Sequence, residues 1–367
     1  VTAVHDVLVI GAGVVGLSVA RELAQRGARV HVVDGSPDGG SGSRAAAGVA
    51  IPSLRLLADP VMHAFVAAAR TRFDEDVRTF EKTTPGIRRG KGVLRPVRTE
   101  EEREQLVLTT AARPEELGEW TDAAALADLE PVFARSSFLG AFRTTAGHMV
   151  DTALYVDALG SAARAAGATV SLGEQVLGIE EAPGEVRVTT SRGSLRADRV
   201  VVAAGAWSGS LPGLPPLPVH PMRGQMIEVR DAEVRIDHVI SGRTYLCPWR
   251  AGSLCTGATE EMAGFADHVT TAGTVFLLSR LVRDFPLLAD ARPVRAWAGL
   301  RSASGDGRLV LGRYPATNRV YVCSAHVGQG ILTGHHSGWA LAHLLDTGEP
   351  AAPEAFSPDR FDPVRAG

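Results

Sequence analysis

Lysine is almost absent from this chain. Lys82 and Lys91 are the only two, and arginine supplies the rest of the 38 basic residues. Against 41 acidic residues the net charge is −3, so no charge surplus points to nucleic acid. Cysteine is scarce too. Cys247, Cys255 and Cys323 show no C-x-x-C spacing, which argues against a zinc site or a disulfide framework and fits a reducing compartment. No apolar run approaches the length of a membrane span. What remains is ordinary: 367 residues, 45% hydrophobic and 22% charged, enough for two domains or one large discontinuous one.

The informative stretch is residues 7–34. An apolar run, Val7-Leu-Val-Ile, leads into Gly11-Ala-Gly13-Val14-Val15-Gly16. A segment of helical period follows to Gly27, then a second apolar run ends in Asp34. Gly11 permits the tight turn, Gly13 lets backbone approach a pyrophosphate, and Gly16 lets helix and strand pack closely. The helix N-terminus offers free N–H groups to phosphates, and Asp34 can accept from a ribose diol. A bound dinucleotide is expected. The strand begins so near the start that no signal peptide is expected, and a cytoplasmic location follows.

Further along, residues 35–59 are rich in Gly, Ser and Ala, and a helical stretch runs from about 61 to 83. Residues 151–166 read as helix, 169–179 as strand, and 185–197 as a hairpin around Arg192-Gly193. A buried strand then meets the small-residue turn Ala203-Ala204-Gly205-Ala-Trp207-Ser208. A Pro-rich connector covers 211–221, a helix about 271–285, and the last twenty residues read as a mobile tail.

The glycine motif alone does not separate NAD from FAD. Three features favour FAD: the turn at Ala204-Gly205, the small polar segment Ser41-Gly-Ser43-Arg44-Ala-Ala46-Ala47-Gly48, and Gly328-Gln329-Gly330-Ile331 opening the last helix. A second helix N-terminus can stabilise negative charge on a flavin as it is reduced.

With Arg223-Gly-Gln225, Trp297-Ala-Gly-Leu-Arg301 and Asp306-Gly307 added, the chain resembles the D-amino-acid oxidase superfamily of FAD-dependent oxidoreductases, in the branch of glycine and sarcosine oxidases, glycine oxidase most closely. The resemblance implies an α/β fold. A Rossmann-like FAD domain would come from 1–83, 150–218 and 296–347. A substrate domain on a mixed, largely antiparallel sheet would come from 84–149 and 219–295. It implies oxidation of the C–N bond of a small amino acid or secondary amine to an imine. Hydride goes to the flavin and O2 becomes H2O2; a dehydrogenase using another electron carrier is the alternative. FAD contacts are implied for Gly11, Gly13, Val14, Val15, Gly16, Asp34, Gly35, Ser43, Arg44, Ala46, Ala47, Gly48, Val176, Ala204, Gly205, Trp207, Arg301, Gly328, Gln329, Gly330 and Ile331.

Arg301 matches the family's carboxylate-binding arginine, and Tyr245 a tyrosine whose hydroxyl assists it. The chain departs from glycine oxidase in having Gly328 for a second arginine, Arg243 for a histidine, and Glu260 for an apolar pocket residue. A wider or differently charged pocket is expected. Glu260 must face solvent, pair with an arginine such as Arg243, or meet the substrate. No cysteine lies near Arg301 in sequence, so FAD is expected to be non-covalent. His326, His335 and His336 do not have metal-site spacing. A homo-oligomer is left open.

Overall fold

The computed structural model describes residues 4–145, 147–231 and 233–361. Val4–Ile10 pairs in parallel with Val30–Asp34 on one side and Gly193–Val202 on the other. Its continuous apolar run is explained by burial on both faces. Val7 and Val9 join one core with the helices Val14–Gln25, Pro60–Phe80, Thr152–Ala165 and Gly330–Thr347. Leu8 and Ile10 join a second with Leu217, Val219 and Tyr314. Thr169–Leu172 extends this sheet beyond Val30–Asp34, and the Val176–Ala182/Glu185–Thr190 hairpin and Val320–Ser324 flank Gly193–Val202.

The first and last helices touch through glycine. A Cβ at Gly338 would lie 2.7 Å from Ser18 Cβ, so this approach requires its absence. That contact brings the segment before Gly330 beside the Gly11–Gly16 turn.

The second sheet has eight strands. Their order is Arg292–Ser304, Val219–Arg230, Leu254–Gly257, Tyr245–Pro248, Val239–Ser241, Val93–Val97, Gly140–Thr144 and Glu119–Asp122. Every pairing is antiparallel except Val239–Ser241 with Val93–Val97. One face packs Ile227, Leu246 and Leu94 under Leu277 and Leu281 of the Thr271–Asp284 helix. The other carries Met226, Tyr245, Cys247 and Val93 toward Ala47, Val49 and Ile51 of the first domain.

Three details differ from the sequence reading. Residues 169–179 form two strands, broken at Gly173–Gln175. Arg292–Ser304 runs as one strand of the second sheet, so a boundary at 296 falls inside it. Residues 348–361 are packed rather than loose: Phe356 is fully buried against Phe65, and Arg360 pairs with Asp306 at 2.8 Å. Residues 362–367 lie outside the described residues.

Candidate active site

A single cavity of about 2180 Å³ runs between the two sheets. That is well beyond the size a small metabolite needs, and it suits a dinucleotide with room beside it. At one end lies the glycine turn. A Cβ at Gly11 would sit 2.3 Å from the Ala203 carbonyl, and one at Gly16 would sit 1.9 Å from the Gly11 carbonyl. Gly13 caps the first helix without a side chain; the Val14 N–H donates to Ser43 Oγ at 3.1 Å, and the other N–H groups of the first turn are the ones left for phosphate oxygens.

Asp34 organises the loops here. Its carboxylate accepts from the Ala12 N–H at 2.6 Å, Ser36 N–H at 2.8 Å and Gly40 N–H at 3.2 Å. A carboxylate has about four acceptor sites, so capacity for a ribose hydroxyl remains. Gly35, Ser43, Ala46, Ala47, Gly48, Val176, Ala204, Gly205 and Trp207 line the same cavity, as do Val14 and Val15. Gly328, Gln329, Gly330 and Ile331 close it from the last helix. Before them, Ala325 and Val327 hold left-handed backbone, with φ of 60° and 49°. A β-branched residue there is strained, a state usually held for a functional loop. The Val327 N–H donates to the Ser302 carbonyl at 2.8 Å, which ties this loop to the residue after Arg301.

Arg301 forms the wall on the second sheet. Its Nη1 donates to the Thr259 carbonyl at 3.1 Å, and its guanidinium lies over Gly224, where a Cβ would stand 2.5 Å from Nη1. Burial pulls its pKa below the ordinary arginine value, with Glu260 acting the other way. No carboxylate forms an ion pair with it among the described residues. Gly299 abuts the Ala45 Cβ, and Trp297 Nε1 donates to the Ala45 carbonyl at 3.0 Å, so this strand is pinned to the Ser43–Gly48 loop.

Several residues stand elsewhere than the sequence suggests. Arg44 turns out of the cavity: its guanidinium meets Asp157 at 2.5 Å and the Gly39 carbonyl at 2.8 Å. Gly16 supports the turn from behind and does not line the cavity. Tyr245 lines the cavity, but its hydroxyl is buried beside Cys247 and Cys255. Glu260, by contrast, takes options already open to it: it is exposed at the cavity mouth and lies 3.6 Å from an arginine, Arg55, while Arg243 pairs with Glu102 at 3.1 Å.

The histidines do packing and hydrogen-bonding work. Burial lowers the pKa of His326 to about 4, and its Nε2 meets Ser337 Oγ at 3.1 Å. His335 bridges Glu22 and Asp76, and His336 packs on Phe65 and Trp339. Gly224 and Thr259, which place Arg301, were not assigned from sequence. The Arg223-Gly-Gln225 motif was the available signal, but only the folded strand pair shows that the glycine clears room for the Arg301 guanidinium.

A dinucleotide cradle facing a polar wall across a shared cavity is an arrangement that suits a dinucleotide-dependent oxidoreductase. The family model described as FAD dependent oxidoreductase matches residues 6–344, and the chain belongs to that family. It is 33% identical to the bifunctional protein ThiO/ThiG of Synechocystis sp., over 97% of this chain and 54% of that protein. The chain thus spans about half the length of such bifunctional relatives. It is 31% identical to the glycine oxidase of Pseudomonas aeruginosa, over 96% of this chain and 98% of that one. The crystal structure of glycine oxidase from Geobacillus kaustophilus superposes with a TM-score of 0.86 at 27% identity, covering 97% and 98% of the two chains. The chain is a glycine oxidase-like, FAD-dependent oxidoreductase. Among the described residues no helix is long and apolar enough to cross a membrane.

Proposed function

We propose that the protein is an amino-acid oxidase that holds its substrate's carboxylate on Arg301. The observation that carries this is the half-buried guanidinium of Arg301, fixed by the Thr259 carbonyl, lying on the cavity and, among the described residues, in no ion pair with a carboxylate. A planar fork can grip a carboxylate with two parallel N–H bonds. The relatives named glycine oxidase support the amino-acid class.

FAD, when bound, supplies the hydride acceptor and passes electrons on to O2, giving H2O2. The protein positions the amine. Arg301 fixes one end of the substrate, so the carbon bearing nitrogen is presented in one orientation. Tyr245 lines the same cavity, with its hydroxyl buried beside the Cys247 and Cys255 thiols. The product imine is released to water and hydrolysed. Gly11, Gly13, Asp34, Ala204, Gly205 and the Gly328–Ile331 segment would hold FAD. Cys323 also lines the cavity, but burial pushes its thiol up, which leaves it protonated and a poor nucleophile. FAD should therefore leave with the supernatant on acid precipitation.

The test is a panel of amino acids, N-methyl amino acids and simple amines. Flavin bleaching is followed without oxygen, then oxygen uptake and peroxide with it. Bleaching by amino acids with oxygen uptake supports the oxidase. Bleaching without oxygen uptake identifies a dehydrogenase. A decarboxylated amine as the best substrate removes the role of Arg301.

A further inference from the structure

A second cavity, of about 460 Å³, shares no lining residue with the first. Arg70, Asp74 and Arg78 reach it from one face of the Pro60–Phe80 helix, at four-residue spacing. Arg88, Lys91 and His148 reach it from the short strands Arg88–Arg89 and His148–Val150 and the chain beside them. Arg88 pairs with Val150 and Arg89 with Met149, antiparallel. Arg88 and His148 are therefore diagonal neighbours on one face of that pair.

His148 is the unexplained group. Its ring stacks on Phe73 of the helix, with centroids 5.3 Å apart, and its side chain is only 9% exposed. Its Nε2 is buried and makes no hydrogen bond, and the Asp74 carboxylate stands off at 3.7 Å. A buried polar atom left in this state is costly unless something meets it. Burial, with Arg88 and Arg70 nearby, lowers the His148 pKa to about 4, against the pull of Asp74. The ring is thus neutral at pH 7, and a neutral imidazole can carry its hydrogen on Nε2 and donate it.

The surrounding cations are loosely answered. Arg70 and Arg88 meet Asp74 and Glu81 only at 3.8 and 3.7 Å, both through Nε. Arg78 donates from Nε to the Asp74 carbonyl at 3.2 Å and has no ion pair among the described residues. Lys91 is held by Asp237 at 2.5 Å. The Nη forks of the three arginines make no contact with any described residue. Elsewhere such forks are used: Arg21 and Arg250 each hold a carboxylate through two nitrogens.

We propose that this cavity binds a small phosphate ester, its phosphate held between Arg70, Arg88 and His148 Nε2, with Arg78 at the rim. Two forks and one N–H converging from separate elements suit a tetrahedral dianion better than one planar carboxylate. The volume lies in the range of small organic ligands, beyond what a bare ion fills. Thr71 and Thr145 line the rest and offer hydroxyls to a polar body. The site is independent of the reading of Arg301.

Calorimetric titration tests it on the FAD-loaded protein, whose dinucleotide cradle is filled, in physiological salt, where exposed charges alone are screened. The probes are ribose 5-phosphate, methyl phosphate, inorganic phosphate and ribose. Ribose 5-phosphate should bind with one site per chain, and ribose should not bind. Arg88→Met, an exposed position that the fold tolerates, and His148→Phe, which keeps the stack on Phe73, should each weaken binding by about tenfold or more. Asp74→Asn removes the one carboxylate on the lining and should tighten it. Arg301→Met should leave it unchanged. Absence of saturable binding by every phosphate overturns the site, as does affinity unaltered in both Arg88→Met and His148→Phe. Loss of binding in Arg301→Met also overturns it, since the ligand then sits in the main cavity. Inorganic phosphate binding as tightly as ribose 5-phosphate overturns the ester and assigns the pocket to the free ion.

Discussion

Arg301 and Gly224 act as one unit, since the arginine occupies the volume a side chain at Gly224 would take. Truncating Arg301 to Ala removes the carboxylate anchor and should lower kcat/KM by about 30-fold or more. Arg301→Lys should recover little, because an ammonium lacks the planar fork. Gly224→Ala should mimic much of this loss by displacing the guanidinium, since a 1 Å misplacement can cost about 100-fold. FAD should stay bound in all three variants. Flavin content near one per chain with collapsed turnover is the expected pair of readings; lost flavin would mean that the wall and the cradle are coupled. Asp34 is the opposite case. Its three backbone N–H partners make it part of the loop structure as well as a ribose acceptor. Asp34→Ala leaves those donors unpaired at about 1–3 kcal/mol each, so FAD retention should fall by tenfold or more, read by equilibrium dialysis.

The elements divide by how local their causes are. The Gly11–Gly16 turn and its flanking strands were legible because strand, turn, helix and acid lie within thirty residues and each has its own residue pattern. The Thr152–Ala165 helix was legible for the same reason: Asp151 caps it, accepting from Ala153 and Leu154 N–H at 3.1 and 3.2 Å. The direction of the Arg44 side chain was not legible, because its partner Asp157 lies 113 residues on and no local pattern records that pairing. The C-terminal stretch misled because Pro, Ala and Glu suggest a loose end, whereas Phe356 decides the outcome by burial. Phe356→Ala should cost about 3–5 kcal/mol, seen as a lower denaturation midpoint. An unchanged midpoint would return this segment to the status of a tail.

At the scale of the whole molecule, one buried polar network joins four helices. Asp76 accepts from Arg21 at 2.8 Å, Tyr155 at 3.1 Å and His335 at 3.0 Å, while Glu22 meets His335 from the other side at 2.9 Å. Burial opposes protonation of His335, but the Asp76 and Glu22 carboxylates outweigh it and raise its pKa above 6.5. A histidine raised on folding stabilises fully below its unfolded value, and that contribution is lost as pH rises through the folded value. The thermal midpoint should therefore decline on the alkaline side of about pH 6.5, and the gap between wild type and His335→Gln should narrow there. A gap that widens with pH contradicts the assignment. The cofactor cradle has a different kind of consequence. Its pieces come from the first strand pair, from Gly205, and from the Ser324–Ile331 segment near the far end of the chain. A ribosome releases these in that order, with both sheets made in between. A nascent chain that stops short of Ser324 owns a phosphate turn but no closed cradle. Flavin is thus captured late, by a molecule whose two sheets are already built, and stalled chains released before that point should emerge colourless.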